Sequence, residues 1–324
     1  MPQIPFLDAA AVRRALPAER AMQALDAALR TEIDPEVDAP RLFSPAPHGE
    51  FLLMPAQGPE FSGLKALTVA PGNPARNLPK IQGLYLLIDS DSLAPVAILE
   101  GSSLTAIRTA AVTLTAIRYL AAAAPATDRP PARPEFLVIG AGVQAESHIR
   151  AARAALPGAE FTVAGRRPER VAALRAALGG DDTRALDPAP GALDRAVAEA
   201  DVILCVTSSD TPVFDGSLVR GGAIVAAVGT HGRDRREVDD RLVARADLLV
   251  EGRRSAEREN GNLATALGPA DWAAPSAPRN LREAALGRLS RRPGHPALYT
   301  GVGMSWEDLV CAAAAFTAST SGRE

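Results

Sequence analysis

A glycine-rich turn set between an apolar run and a helical pattern limits the fold of this chain more than any other feature. Phe136–Ile139 reads as a buried strand, Val143–Leu156 has helical spacing, and the turn between them carries Gly140-x-Gly142-x-x-Ala145. Each residue type has a physical reason. Glycine at 140 permits a tight turn, glycine at 142 lets backbone N–H groups approach a pyrophosphate, and a small residue at 145 lets the helix pack close to the strand. The helix N-terminus then offers unpaired N–H donors and the positive end of its dipole to phosphates. A second apolar run, Phe161–Ala164, follows. This strand-turn-helix-strand context separates a dinucleotide-binding unit from an ordinary joint that uses glycine for backbone freedom.

The alternation continues. Apolar runs at Val202–Val206, Ala223–Val228 and Leu248–Val250 are interleaved with helical patterns at Pro168–Leu178, Asp194–Ala200 and Val238–Ala246. That order predicts an α/β fold, a Rossmann-type doubly wound parallel sheet. The first part of the chain differs. Helical spacing at Asp8–Leu16 and Ala18–Arg30 gives way to short apolar runs at Arg41–Ser44, Gly49–Pro55, Gly63–Val69, Gly83–Asp89 and Ala94–Glu100. Their short links predict mostly antiparallel strands, hence a separate α+β domain. Leu104–Ala124 reads as a long helix with Ser103 or Thr105 as cap, with Asp8 as cap of the first helix. Ala126–Pro134, with four prolines counting Pro125, reads as a linker, so the domains are expected at 1–125 and 126–302. Ala297–Val302 reads as one more strand. Ser305–Ser319 reads as a last amphipathic helix, with Ser305 as N-cap and Glu307 and Asp308 in the first turn.

Bulk properties narrow the function. A net charge of −3 and a pI near 5.9 give no footprint for nucleic acid. The N-terminus lacks a basic start followed by an apolar core, and no apolar run approaches the ~18 residues of a membrane span. The two cysteines, Cys205 and Cys311, have no metal-ligand spacing, and Cys205 reads as a small buried strand residue. The expectation is a soluble cytoplasmic protein with no metal, no nucleic-acid partner and no membrane partner.

Chemistry enters at the strand ends. After Val163-Ala164 comes Gly165-Arg166-Arg167, with no carboxylate for the ribose hydroxyls. Paired arginines fork onto a 2′-phosphate, which favours NADP(H) and leaves NAD(H) as the alternative. Arg41, Lys65 and Arg108 each sit among apolar or small residues, where a cation is expensive unless an anion pairs with it. Convergence of the three would suit a small carboxylate substrate. His231, in the loop after Ala223–Val228, is placed where doubly wound sheets bind ligands and can exchange a proton near neutral pH. Its neighbours Arg233, Arg235 and Arg236 read as a solvated charge run.

Five segments resemble the ornithine cyclodeaminase/mu-crystallin family: Gly63–Asn73, Leu78–Asp89, Leu99–Ala111, Val138–His148 and Val228–Glu251. The run LTAIRTAA, with Lys65 upstream, is the most specific of these. The resemblance implies that Arg41, Lys65 and Arg108 hold the substrate's carboxylate and amino or imino group. It implies that Thr109 lies beside the pyrophosphate, that Gly140, Gly142, Val143 and Gln144 form the phosphate turn, and that Gly165, Arg166 and Arg167 stand where NADP-using members carry Asn-Arg-Thr. Thr207 and Val228 match positions near the nicotinamide. Gly301, Val302 and Gly303 match a late strand closing over the site, with Gly301 assigned to cofactor and Val302 to substrate. The family fold further implies a homodimer built through the first domain, to which residues 303–324 return. Two departures stand out. His231 occupies the position where cyclodeaminases carry their acid/base aspartate, and Lys80 replaces a small hydroxyl residue near the cofactor. The first points to the bacterial ketimine reductase branch, with Lys65 and His231 as catalytic residues and Δ1-pyrroline-2-carboxylate or Δ1-piperideine-2-carboxylate as substrate. Rival readings are an ornithine cyclodeaminase, a non-catalytic NADP-dependent binding protein, and an opine-type amino acid dehydrogenase.

Overall fold

The computed structural model describes residues 4–321. The chain forms two compact units, 1–111 with 304–324, and 112–303. The division falls inside the helix Gly101–Ala123, ahead of the proline-rich stretch at which the sequence reading placed it.

The first unit is built on a six-stranded sheet of β1 (Phe6–Leu7), β2 (Leu42–Ala46), β3 (Gly49–Ala56), β4 (Phe61–Val69), β5 (Ile81–Asp89) and β6 (Pro95–Glu100), in the order β1-β6-β5-β4-β3-β2. β2 to β6 pair antiparallel, as their short links predict, and β1, which the sequence reading missed, adds a parallel edge to β6. β4 alternates strictly: Gly63, Lys65 and Leu67 are buried and their neighbours half-buried. The period of two therefore puts a charged residue in the inward row, beside Met54 on β3 and Tyr85 on β5. The helices Ala18–Thr31 and Ser305–Thr320 pack on each other, and the latter also packs on β4. The opposite face of the sheet carries an apolar row in register, Leu42, Leu53, Ala66 and Leu84, of which Leu42 and Leu84 are exposed.

Helix starts use longer side chains than expected. Asp8 does cap Ala9–Ala15, accepting from Ala11 N at 2.7 Å. The long helix begins earlier than the sequence reading, at Gly101, and its cap is Glu100, which accepts from Ser102 N and Ser103 N at 2.9 and 2.7 Å. Thr105 instead donates back to Gly101 O. Ser305 is not the cap of the last helix either: Asp38 accepts from Ser305 N and Trp306 N at 3.0 and 3.1 Å. A carboxylate from elsewhere in the chain neutralises these first-turn donors better than a neutral hydroxyl.

The second unit is a fully parallel eight-stranded sheet, which makes the fold α/β with a Rossmann-type doubly wound core. Its strands are β7 (Glu135–Ile139), β8 (Glu160–Ala164), β9 (Thr183–Ala185), β10 (Val202–Cys205), β11 (Ile224–Ala227), β12 (Asp247–Val250), β13 (Arg279–Asn280) and β14 (Ala297–Thr300), in the order β13-β12-β14-β11-β10-β7-β8-β9. The order reverses between β7 and β10, the switch point at which such sheets bind ligands. β9 and β13 are too short and polar to announce themselves in the sequence. The late strand β14 is not an edge: it lies between β11 and β12. It ends at Thr300, before Gly301 and Val302: Gly301 N still reaches Ala227 O at 3.4 Å, but the N–H groups of Val302 and Gly303 turn to the buried Glu251 carboxylate. Val302 N donates to it at 2.8 Å and Gly303 N at 2.9 Å. Among the described residues no helix is long and apolar enough to cross a membrane.

Candidate active site

In the first unit Lys65 and Arg108 meet two carboxylates. Lys65 Nζ donates to Asp308 Oδ2 at 2.6 Å, Arg108 Nε to Asp308 Oδ1 at 3.1 Å, and Arg108 to Glu307 Oε2 at 2.7 Å. All four side chains are buried. Buried charge is tolerated here because two cations face two anions with directed hydrogen bonds. Burial drives the Lys65 pKa down from 10.5 to about 8, and the Arg108 and Arg41 cations push the same way while Asp308 opposes them. Arg41 is half-buried just before β2. The expectation that these cations wait for an external anion is therefore corrected in part: the protein supplies two of its own. Glu307 and Asp308, read from sequence as dipole-complementing residues of a first turn, are the buried counter-ions.

In the second unit the glycine turn has the expected local geometry. Gly140 has φ +126°, its N–H donates to Ala164 O at 2.8 Å, and a Cβ there would lie 2.7 Å from Val206 O. Gly142 is different. A Cβ at 142 would meet nothing within 4 Å, so no neighbouring protein atom excludes a side chain. The open position is what a phosphate needs to reach the backbone. The helix Val143–Ala155 starts without a side-chain cap, and Gln144 Oε1 is buried without a hydrogen-bond partner. Ala145 is fully buried, as close helix packing requires. A dinucleotide pyrophosphate fits this cradle. Gly165, Arg166 and Arg167 are exposed beyond β8, and among the described residues neither guanidinium has an ion-pair partner.

Two loops at the carboxyl ends of β10 and β11 converge on a carboxylate that sequence reasoning missed. Thr207 donates to Glu237 Oε1 through its N–H at 2.6 Å and its hydroxyl at 2.7 Å, and Gly229 N donates to Oε2 at 2.7 Å. Glu237 N in turn donates to Asn262 Oδ1 at 2.6 Å, and Asn262 Nδ2 to Thr300 Oγ1 at 2.9 Å. Val228 donates its N–H to Cys205 O, in line with the sheet. His231 is exposed in the loop that follows.

The model of the ornithine cyclodeaminase/mu-crystallin family matches residues 5–322. The chain belongs to this family. Among its relatives, the Δ1-pyrroline-2-carboxylate reductase of Paracoccus denitrificans is 37% identical over 204 residues, a match that spans 62% of this chain and 61% of that protein. The Δ1-pyrroline-2-carboxylate/Δ1-piperideine-2-carboxylate reductase of Azospirillum brasilense is 32% identical over 311 residues, covering 95% of this chain and 94% of the relative. The solved structure of the iminosuccinate reductase of Paracoccus denitrificans in complex with NAD+ superposes with a TM-score of 0.80 at 25% identity, over 98% of this chain and 97% of the other.

Within this cyclodeaminase/mu-crystallin member, the residues singled out from sequence fall into two sets. Lys65 and Arg108 are joined through Asp308, with Arg41 near enough to act on Lys65 electrostatically. Thr109 follows Arg108 on the long helix, its hydroxyl donating to Thr105 O. In the second unit Gly140, Gly142, Val143 and Gln144 form one turn, and Thr207 is tied to Gly229, the residue after Val228. Gly301 leaves no room for a Cβ, which would lie 2.6 Å from Glu251 Oε1. Lys80 is half-buried ahead of β5, and its carbonyl accepts from Ala70 N. The argument that flagged the three cations, charge in an apolar context, applies equally to Glu307 and Asp308 in SWEDLVCAAAAF.

Proposed function

We propose that this family member reduces a cyclic imino acid, Δ1-pyrroline-2-carboxylate or Δ1-piperideine-2-carboxylate, to the corresponding cyclic amino acid. It is an oxidoreductase acting on C=N, and it uses a reduced nicotinamide dinucleotide. The observation that carries the reading is the buried Lys65–Asp308–Arg108–Glu307 cluster, which keeps an ammonium of lowered pKa next to a guanidinium. The names of the Paracoccus and Azospirillum relatives support the same chemistry.

The first unit handles substrate. Arg108 and Arg41 hold the carboxylate, and Lys65 sits beside the imine nitrogen, holding a proton at Nζ. A protonated iminium accepts hydride more readily than a neutral imine, so a cation that shares its proton lowers the barrier. Two residues of the second unit are assigned here as well, His231 to return a proton from solvent and Val302 to the substrate. The second unit handles the dinucleotide. Gly140, Gly142, Val143 and Gln144 cradle the pyrophosphate, and Thr207, Val228 and Gly301 border the nicotinamide; Thr109, a residue of the first unit, is assigned to the phosphates. Arg166 and Arg167 take a 2′-phosphate, so NADPH is preferred over NADH. When bound, the dinucleotide supplies the hydride. The exposed apolar row on β2 to β5 is covered by a second copy, giving a soluble cytoplasmic homodimer.

Reduced-nicotinamide absorbance tests the reading. With purified protein, NADPH is consumed in the presence of the five- or six-membered cyclic imino acid, and more slowly with NADH. Absence of oxidation, together with ammonia released from ornithine and NAD+, would make the chain a cyclodeaminase instead. Sedimentation of wild type against Leu84→Glu tests the dimer: a monomeric wild type refutes it.

A further inference from the structure

We infer that Glu237 is a positioning residue for this reduction: its carboxylate fixes the two loops that border the nicotinamide, and so sets where the ring sits. This rests on the proposed dinucleotide-dependent reading of the second unit.

Three observations carry it. First, Glu237 is fully buried, yet among the described residues its carboxylate bonds no cation; the three hydrogen bonds it accepts all come from the loops just past β10 and β11. Second, those loops touch one another too closely for side chains: a Cβ on Gly229 would lie 2.2 Å from Thr207 O and 2.7 Å from Glu237 Oε1. Third, the backbone of Glu237 is itself held. Asn262 Oδ1 accepts from both Glu237 N and Val238 N, Asn262 Nδ2 donates to Thr300 Oγ1, and Thr300 Oγ1 donates to Ala227 O at the end of β11. One acceptor-only group thus ties the ends of β10 and β11, with β14 bracing it from behind. Strand carboxyl ends at the switch point are where ligands bind in such sheets. A carboxylate there accepts from both loops at once, which no neutral side chain does with two oxygens.

Glu237→Gln keeps the shape but turns an N–H2 toward either Thr207 or Gly229, replacing one tie by two opposed donors. ADP-ribose, which lacks the nicotinamide, separates positioning from general damage. In Glu237→Gln we expect kcat to fall about 100-fold, while ADP-ribose affinity stays within about twofold of wild type. Thr207→Val, which removes only the hydroxyl donor, should show the same split with a smaller loss, and it serves if the glutamine variant does not fold. Wild-type kcat in Glu237→Gln, or parallel loss of ADP-ribose and reduced-dinucleotide affinity in the folded variants, would overturn the assignment. If the wild type itself reduces no cyclic imino acid, the proposed substrate fails. The Glu237 assignment is then read from binding alone, as weakened reduced-dinucleotide affinity with ADP-ribose affinity retained.

Discussion

Lys65 Nζ donates to Asp308 Oδ2 across 2.6 Å, and neither side chain reaches solvent. The two residues lie 243 positions apart in sequence. Asp308 also accepts from Arg108, so one carboxylate organises two of the three cations that the proposed chemistry uses. Burial still wins at Lys65, whose pKa stands near 8 despite this partner.

The Lys65 pKa gives opposite pH dependences for activity and stability. Reduction that needs the Lys65 proton should fall as pH rises through about 8. Stability should move the other way. The folded state releases this proton at about 8 and the unfolded state at 10.5, so between those values the unfolded chain binds more protons and raising the pH stabilises the fold. Over that window the gain is at most about 3 kcal/mol. Comparison of wild type with Lys65→Met by thermal unfolding at pH 8 and pH 10 isolates this group. An equal change in both proteins would refute it.

Asp308→Asn should destabilise the protein by about 3 kcal/mol or more, because it leaves two buried cations with one carboxylate. It should also shift the alkaline limb of the rate profile to lower pH, since the residue that opposes deprotonation of Lys65 is gone. Thermal melting and a pH-rate profile check the two halves separately.

The two glycines of the turn between β7 and the helix Val143–Ala155 should respond differently to alanine. Gly140→Ala forces a left-handed φ and a Cβ 2.7 Å from Val206 O, and should cost about 1–3 kcal/mol of stability. Gly142→Ala meets open space and should leave the melting temperature unchanged while weakening dinucleotide binding. Melting curves with titration of reduced dinucleotide decide between these outcomes.

Replacing Arg166 and Arg167 by alanine should raise KM for NADPH about tenfold or more and leave KM for NADH nearly unchanged, since a charge-assisted phosphate contact is lost only with the phosphorylated cofactor. Equal changes with both cofactors would remove these arginines from 2′-phosphate recognition.

His231→Asn should lower turnover with cyclic imino acids while leaving dinucleotide affinity intact. An unchanged rate across pH 6 to about 9 would exclude a proton role for this exposed imidazole.

The parallel sheet, the antiparallel strands and the glycine turn were legible because periodicity and turn chemistry are local. β4 alternates in sequence as it does in space, and the Gly140–Ala145 spacing carries its own geometry. What escaped notice was non-local. β9 and β13 exist only because neighbouring strands offer edges. Ser305 looked like a cap, but Asp38 reaches the same donors from far upstream. Glu237 sits in GRDRREVDD, where a run of charges reads as solvated surface, and only the fold turns that one carboxylate inward. The buried cations were flagged because their context was apolar; the anions that neutralise them lay in a helix whose first turn offered an easier explanation.

The placement of β14 has a further consequence for synthesis on the ribosome. β11 and β12 have been translated long before residues 297–300 arrive, yet they pair with β14 rather than with each other. The first unit likewise holds Lys65 and Arg108 without their counter-ions until Glu307 and Asp308 emerge. Neither unit can finish folding in the order in which it is made. The nascent chain therefore exposes open strand edges and uncompensated charges at least until residues 297–308 have been translated, and such edges are where an unfinished chain aggregates.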